Sequence, residues 1–263
     1  MSDGSGWQVD QNAPRHYHDQ VSMFMEPFAD ALVDSVVTPG DAVLDVACGT
    51  GIATRSAATS LGGLGRVVGT DINRAMIELA AILPEGDRIE WREASALDLP
   101  YEYGTFDCVI SQQGIQFFPD SSAGLAEMAR VAKPGARVAV TVWSPLSESP
   151  YLEAMYEMLT RYCDADPDDI AWSSTRAQIT TWFNDADLAE PVIQHLVRTV
   201  SLPPLDSFVP AHMMSTPWAT QFGNLPPDEA ASAIRQMQEK LKRWSTTTGA
   251  DIPFASFLAT IAV

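Results

Sequence analysis

A stretch of small residues between two acidic side chains is the part of this sequence best suited to chemistry. Asp45 is followed by Gly49 and Gly51, and Asp71 comes about 20 residues further on. The glycines allow the backbone to approach a ligand closely, and a helix beginning near Gly51 offers free N–H groups. An acidic residue at the position of Asp71 is placed to accept hydrogen bonds from ribose hydroxyls. The spacing therefore predicts a nucleotide-binding site.

Two classes of nucleotide fit this pattern, NAD-type dinucleotides and S-adenosylmethionine. The dinucleotide fingerprint requires Gly or Ala at its third conserved position, where this sequence has Thr54. Asp45 lies just before the loop, where its charge repels a pyrophosphate and suits a ligand with an ammonium group. Both residues favour S-adenosylmethionine. An NAD-dependent oxidoreductase and a non-catalytic cofactor-binding protein remain as alternatives.

Apolar runs typical of buried strands alternate with helical patterns along the first half of the chain. Such alternation predicts a parallel sheet with helices on both faces. The first-half elements are expected as strands at 42–47, 66–70, 88–93, 105–111 and 137–143 and helices at 20–36, 51–60, 73–82 and 121–132. The second half is expected to add helices at 150–163, 174–186 and 227–244 and strands at 192–202 and 252–263.

The charge of the chain argues against two classes of partner. Lys and Arg number 16 and Asp and Glu number 34, which gives a net charge of −18. Such a surface repels nucleic acid and anionic lipid. The first residues are polar, with no apolar signal-peptide core, and no apolar stretch reaches the roughly 18 to 20 residues of a membrane span. We therefore expect a cytoplasmic protein with a small-molecule partner, as a monomer or homodimer.

Five motifs in the first half carry a family resemblance. With LDVACGTG, GTDINRAMIELA, SALDLPY, GTFDCVIS and QFFPD in this order, the sequence resembles the class I S-adenosylmethionine-dependent methyltransferases over about residues 15–145. It is most similar to the small-molecule (type 11) branch, which includes quinone-biosynthesis and sterol-type C-methyltransferases. The resemblance implies a Rossmann-like seven-stranded sheet of order 3-2-1-4-5-7-6, with strand 7 antiparallel, helices on both faces and a helical cap.

The resemblance also implies how the chain is divided. The whole chain, 1–263, is expected to form a single methyltransferase domain. Within it, residues 1–37 are expected to form an N-terminal cap region and residues 38–145 the cofactor-binding core. Residues 203–244 are expected to form a lid insert over the carboxyl ends of the strands.

By the same resemblance, one set of residues is expected to contact the cofactor. The set comprises Tyr17, Asp45, Ala47, Gly49, Thr50, Gly51, Asp71, Ile72, Met76, Ser95, Ala96, Ser111 and Gln112. Asp45 is expected to reach the amine and Asp71 the ribose diol, with Ile72 and Met76 flanking the adenine. Ser95 replaces the Asp that is common in the family, so adenine recognition is expected to rest more on the backbone of Ala96.

Within the cofactor loop, Ala47 stands where the family often has Gly. This replacement is tolerable if the residue keeps ordinary backbone dihedral angles.

Methyl transfer from a sulfonium requires alignment and exclusion of water, so a general base is not compulsory. The candidate catalytic residues are His212, His18 and Gln116. An apolar acceptor pocket is expected from Phe24, Phe117, Trp143, Met213, Met214 and Trp218. We expect methylation of a small, largely apolar product of specialised metabolism, on oxygen first and on carbon or nitrogen next.

No metal is expected. Asp164, Asp166, Asp168 and Asp169 have tempting spacing but lack the Gly of a calcium loop. They are expected to form a solvated loop.

Overall fold

The computed structural model describes residues 13–166, 173–216 and 218–263. Its strands are β1 Ala42–Val46, β2 Arg66–Asp71, β3 Glu90–Glu93, β4 Phe106–Gln112, β5 Ala132–Trp143, β6 Val192–Leu202 and β7 Ala250–Ala262. Its helices are α1 Ala13–Val36, α2 Ile52–Leu61, α3 Arg74–Ile82, α4 Ser121–Val131, α5 Pro150–Tyr162, α6 Arg176–Asp185, α7 Leu205–Met213, α8 Ala219–Gly223 and α9 Pro227–Leu241. The first twelve residues of the expected cap region, and Asp168 and Asp169 of the expected acidic loop, lie outside these ranges.

The seven strands form one sheet in the order β3-β2-β1-β4-β5-β7-β6. The first five pair in parallel, and β7 runs antiparallel to β5, from Arg137 opposite Ala262 to Trp143 opposite Ser256. The predicted Rossmann-like topology is therefore confirmed. Because parallel strands end at the same edge of a sheet, the residues that end β1, β2, β4 and β5 share one edge, here called the carboxyl edge.

Alternate residues of the central strands are buried on opposite faces of the sheet. On one face, strand residues such as Leu44 and Val109 share a core cluster with Leu125 of α4 and Phe183 of α6. On the other face, a second cluster contains the neighbouring strand residues together with side chains of α1 and α2. Burial on both faces explains why these strands read as continuous apolar runs and not as alternating patterns.

Internal contacts divide the chain into two compact units. The larger unit comprises residues 25–144, 173–196 and 256–263. The smaller unit comprises the described parts of residues 1–24, 145–172 and 197–255. Within the smaller unit, α5 and α9 pack together, and Lys240 forms an ion pair with Glu157. The covering role expected of residues 1–37 and 203–244 stays a prediction.

Three elements differ from the pattern-based boundaries. Helix α1 begins at Ala13 and not near residue 20. The sequence pattern did not predict its first turns, because they are polar and show no apolar period. Strand β5 begins at Ala132 and not at Arg137: Ala132 pairs with Phe106, and the register shifts before Cys108. The Pro-, Met- and Trp-rich segment after β6 contains two short helices, α7 and α8. Of the helices in the described ranges, none has both the length and the apolarity to cross a bilayer.

Candidate functional site

The loop that follows β1 is held against the end of β2 by backbone hydrogen bonds. The N–H of Cys48 donates to the carbonyl of Thr70 at 2.9 Å, and the N–H of Gly49 donates to Asp71 Oδ2 at 2.8 Å. Gly49 and Gly51 have φ angles of 55° and 85°, in the left-handed region that favours glycine. The strand-to-helix loop expected from the sequence is therefore present at the carboxyl edge.

Ala47 does not meet the condition of ordinary dihedral angles under which its replacement of Gly is tolerable. Its φ is 57°, in the left-handed region, where a Cβ atom costs roughly 1–2 kcal/mol. The loop leaves β1 at this residue and turns at once toward Gly49. The reversal of the backbone after β1 requires a positive φ at this position. This requirement explains why Gly is common here among similar proteins.

The indole ring of Trp91, on β3, leaves no room for a side chain at two glycine positions of the larger unit. Trp91 lies against Gly51 and Gly69, and a Cβ atom at either glycine would overlap its ring. The ring is fixed by a hydrogen bond from its Nε1 to the carbonyl of Gly86, at 2.8 Å. On its other side the guanidinium of Arg55 lies 5.2 Å from the ring centroid. Gly51 is thus required both by its φ angle and by a close contact.

Asp45, the next-to-last residue of β1, has a buried carboxyl group with only one oxygen hydrogen-bonded among the described residues. It is 1% exposed, and Oδ2 accepts a hydrogen bond from the hydroxyl of Thr54 at 2.6 Å. Oδ1 is buried and has no hydrogen-bond partner among the described residues. Burial raises the pKa of Asp45 from 3.8 to about 7, and the nearby Asp71 adds to this rise while Thr54 opposes it. Thr54, which departs from the dinucleotide fingerprint, therefore orients the carboxyl group of Asp45.

Asp71 ends β2 and accepts hydrogen bonds from the backbone N–H groups of Gly49, Ile72 and Asn73. Gly49 donates to Oδ2 and Asn73 donates to Oδ1, each at 2.8 Å. Burial raises the pKa of Asp71, while these hydrogen bonds lower it. Asn73 in turn caps α3, because its side chain accepts the N–H of Ala75 at 2.9 Å. Asp71 thus holds the loop after β1 and the start of α3.

The end of β4 combines a hydrogen-bonded side chain with an unpaired one. Gln112 donates from Nε2 to the carbonyl of Met25 at 2.7 Å. The hydroxyl of Ser111 is buried without a partner among the described residues. A side chain at Gly114 would overlap the Ser111 hydroxyl and the Cβ of Ala47. The close approach at Gly114 brings the β4 end and the cofactor loop together.

Unpaired buried polar atoms concentrate at the carboxyl edge. In the described ranges, five side-chain oxygens are buried without a partner, and only Tyr101 lies away from this edge. The other four belong to Asp45, Ser111, Gln116 and Ser144, at or just after the ends of β1, β4 and β5. Each such atom costs roughly 1–3 kcal/mol unless a ligand or water satisfies it. Their clustering marks this edge as the candidate ligand site.

The remaining cofactor residues expected in the larger unit differ in exposure. Thr50 is buried in the loop, and Met76 is buried in α3. Ile72 is exposed after β2. Ser95 and Ala96 follow β3 as half-buried residues, and the Ser95 hydroxyl accepts the backbone N–H two residues on, at 3.2 Å. Their contacts with adenine stay a prediction.

Two of the expected residues lie on the first turns of α1, in the smaller unit. Tyr17 and His18 are both half-buried. The hydroxyl of Ser22 donates to the carbonyl of His18 at 2.6 Å and lies 3.3 Å from its Nδ1. The expected roles of Tyr17 at the cofactor and of His18 in catalysis stay predictions.

His212 is the centre of an aromatic cluster within the smaller unit. It is 4% exposed, with Phe208 stacked on it at 5.6 Å and Phe24 edge-on at 5.2 Å between ring centroids. Its Nδ1 lies 2.7 Å from the hydroxyl of Tyr151. Burial lowers the pKa of His212 to about 4 and raises that of Tyr151 far above its ordinary value. Both side chains are therefore neutral at physiological pH.

The hydrogen bond to Tyr151 determines what His212 offers a ligand. The Tyr151 hydroxyl has no other partner among the described residues, so its O–H donates to Nδ1 and the ring proton lies on Nε2. In this tautomer the free ring nitrogen of His212 is a hydrogen-bond donor. The sequence suggested a general base at this position, whereas the geometry favours a donor.

The other expected pocket residues divide between the units. In the larger unit, Trp143 is buried at the end of β5 and Phe117 is 52% exposed in the turn after β4. In the smaller unit, Met213 and Trp218 are buried and Met214 is exposed. Their grouping into one acceptor pocket stays a prediction.

Several residues that shape these sites carry no local sequence signal. Trp91 and Tyr151 contact partners far along the chain. Gln113 and Ser256 form a buried hydrogen bond across 143 positions of sequence. Only a sequence signal that relates distant positions would have indicated them.

Sequence comparisons identify a known domain in the larger unit. Residues 44–140 match the methyltransferase domain family. The ubiquinone/menaquinone biosynthesis C-methyltransferase of Teredinibacter turnerae is 38% identical over 128 residues, which cover 47% of this chain and 51% of that protein. A probable chloroplastic tocopherol O-methyltransferase of Oryza sativa is 31% identical over 159 residues, 57% of this chain and 43% of its own. The chain thus spans about half the length of these curated relatives.

Structural comparisons extend over more of the chain. A SAM-dependent methyltransferase from Aquifex aeolicus aligns with a TM-score of 0.54 at 18% identity, covering 74% of this chain and 93% of its own. The [4+2]-cyclase SpnF aligns with a TM-score of 0.51 at 19% identity, covering 90% of this chain and 81% of its own. The second similarity shows that this fold also occurs in a protein named for a different reaction. Residues 44–140 are therefore similar to a methyltransferase domain, and the fold of the chain is shared with a SAM-dependent methyltransferase.

Proposed function

We propose that this chain transfers a methyl group from S-adenosylmethionine to a small, largely apolar acceptor. The observation that supports this most is the group of unpaired buried oxygens at the carboxyl edge, beside the loop after β1. In open α/β sheets, ligands bind at the carboxyl ends of the strands. The match to a methyltransferase domain supports this class of cofactor, and the unpaired atoms support a ligand at this edge.

The residues of this edge fit S-adenosylmethionine. The unpaired Oδ1 of Asp45 suits the ammonium group of the methionine part. Gly49 has open space where a Cβ atom would stand, so its backbone leaves room for a ligand. Asp71 follows the loop at the end of β2, where its carboxyl group suits ribose hydroxyls. In the described ranges, no group of three or more His, Cys, Asp or Glu side chains is arranged to hold a metal.

When bound, the cofactor supplies an electrophilic methyl group, so the residues of the chain need only bind, orient and exclude water. Asp45 gives up its proton when a cation lies beside Oδ1, because an opposite charge offsets its burial. Asp71 anchors the loop through Gly49 and thereby keeps the cofactor site in register. His212 is proposed as a further residue of the reaction, and the variant His212→Ala tests this role.

The acceptor that we propose is an aromatic ring with a hydroxyl group, as in a quinol. The names of two relatives refer to ubiquinone/menaquinone and to tocopherol. We propose transfer to oxygen first, as in the relative named an O-methyltransferase. Transfer to carbon is the second candidate, because other relatives are named for C-methylation, and nitrogen is the third.

Calorimetry tests the cofactor class. Titration of the full chain with S-adenosylhomocysteine is expected to give saturable binding, and titration with NADH is expected to give none. Micromolar binding of NADH without binding of S-adenosylhomocysteine would favour the oxidoreductase alternative. Incubation with S-adenosylmethionine and 2-naphthol, followed by mass spectrometry, then separates an enzyme from a protein that only binds the cofactor.

A further inference from the structure

A line of buried hydrogen bonds ends at the unpaired oxygen of Gln116. Gln116 lies in the turn after β4, and its Nε2 is 3.5 Å from Oε1 of Gln113. Nε2 of Gln113 donates to the hydroxyl of Ser256 at 2.9 Å. The Ser256 hydroxyl donates in turn to the backbone carbonyl of Val142 at 2.8 Å. All four residues belong to the larger unit.

The direction of this line is set at its far end. A backbone carbonyl only accepts hydrogen bonds, so the Ser256 proton points at Val142 and the serine oxygen must accept from Gln113. The amide of Gln113 therefore turns its Oε1 toward Gln116. Gln116 must donate from its NH₂ group, because the reverse orientation would place two carbonyl oxygens against each other. The Oε1 atom of Gln116 is therefore the one atom of this line that is buried without a hydrogen-bond partner among the described residues.

Gln113, at the centre of this line, has an unusual backbone conformation. Gln113 has a φ of 51°, an uncommon conformation for a residue other than glycine, and its side chain is buried. Strained residues of this kind persist where the surrounding structure imposes them, and they cluster at ligand sites. The φ of Gln113 is thus a second uncommon feature at the centre of this line.

We propose that Oε1 of Gln116 binds a hydroxyl or N–H group of the methyl acceptor, and that this makes the site selective for protic acceptors. Gln116 is then a residue that sets specificity, and it removes no proton. An oxidised quinone, which offers only acceptor oxygens, would face this oxygen unfavourably, whereas its quinol would pair with it. This inference rests on the proposed function, whose acceptor it narrows.

Two probes that differ in one O–H group test the inference. 2-Naphthol and 2-methoxynaphthalene are titrated into the full chain by fluorescence, with and without saturating S-adenosylhomocysteine. The wild type is expected to bind the naphthol at least about fivefold more tightly, the effect of one hydrogen bond made to an otherwise unpaired group. Gln116→Met keeps the length of the side chain, and it is expected to bring the two affinities close together.

Two further variants separate recognition from general damage. Ser256→Ala leaves Gln116 in place but frees the Gln113 amide to reverse, so the preference for the naphthol is expected to narrow. Gln194→Met changes an exposed glutamine on β6 and is expected to keep the wild-type preference.

Three results would overturn the inference: equal wild-type affinities, an unchanged preference in Gln116→Met, or no measurable naphthol binding. Loss of S-adenosylhomocysteine binding alone would instead overturn the proposed function, since the naphthol titration without it still tests Gln116.

Discussion

Replacing Asp45 by asparagine is expected to stabilise the ligand-free protein at neutral and alkaline pH while it weakens cofactor binding. The carboxyl group is buried at the end of β1, with one oxygen paired to Thr54 and the other unpaired. Above neutral pH the folded protein must therefore hold a buried charge. Asparagine has nearly the same shape, keeps an oxygen for Thr54 and carries no charge.

The size of the effect follows from the two pKa values of Asp45. Its pKa is about 7 in the folded chain and 3.8 as an ordinary aspartate. Because the folded state holds the proton more tightly, the contribution of Asp45 to stability falls as pH rises from about 4 to 7. Each pKa unit corresponds to 1.36 kcal/mol, so roughly 2–3 kcal/mol is lost between about pH 5 and pH 8. Asp45→Asn is expected to lack this loss.

Urea unfolding between pH 5 and pH 8 measures the effect. The free energy of unfolding of Asp45→Asn minus that of the wild type is expected to rise by roughly 2–3 kcal/mol over this range. Other titrating groups cancel in the difference, and Asp34→Asn on the exposed side of α1 controls for the loss of one charge. Parallel stability curves for Asp45→Asn and the wild type would refute the reasoning. The variant is also expected to bind S-adenosylhomocysteine more than about tenfold more weakly, because its ammonium loses an ionised partner.

Four further predictions concern the loop, the ribose position and the aromatic cluster. Asp71→Ala is expected to weaken S-adenosylhomocysteine binding more than about tenfold by calorimetry, and unchanged affinity would remove its ribose role. Gly51→Ala is expected to lower the unfolding free energy by at least about 1 kcal/mol more than Gly49→Ala, because both have positive φ but only the first meets a ring; equal losses would contradict this. Tyr151→Phe leaves Nδ1 of His212 buried and unpaired, so stability is expected to fall by roughly 1–3 kcal/mol in urea unfolding with cofactor affinity unchanged. His212→Ala is expected to lower turnover without changing cofactor affinity, and equal turnover would remove it from the reaction.

The sheet and its order were predictable because their signals are local or shared with a family. Buried strands show as apolar runs, and the helices between them show a period of about 3.6 residues. The strand boundaries of β1 and β4 therefore lie within a residue of those expected. Helix α1 was harder to predict, because its first turns are polar and only hydrogen bonding of the backbone places them in a helix.

The candidate site was predictable in its positions and not in its physical state. The two carboxyl groups of Asp45 and Asp71 were expected at the carboxyl edge, and both lie there. The backbone angle of Ala47 could not be predicted, since the turn out of β1 imposes a positive φ that a small residue does not reveal in sequence. The neutral state of His212 was also hidden, because it depends on α5 and α7 meeting at Tyr151.

The sequence by itself determined the alternation of strands and helices, the glycine-containing loop and the carboxyl groups placed around it. These properties depend on residues close in the chain, whose periodicity and backbone freedom can be read directly. Only the tertiary structure decided that Asp45 is half-paired and holds its proton near neutral pH. It also decided which oxygen of Gln116 is left free, through a line of hydrogen bonds that ends at Val142. Solvation and hydrogen-bond direction are set by atoms that meet from distant parts of the chain, and for that reason they do not appear in any local pattern.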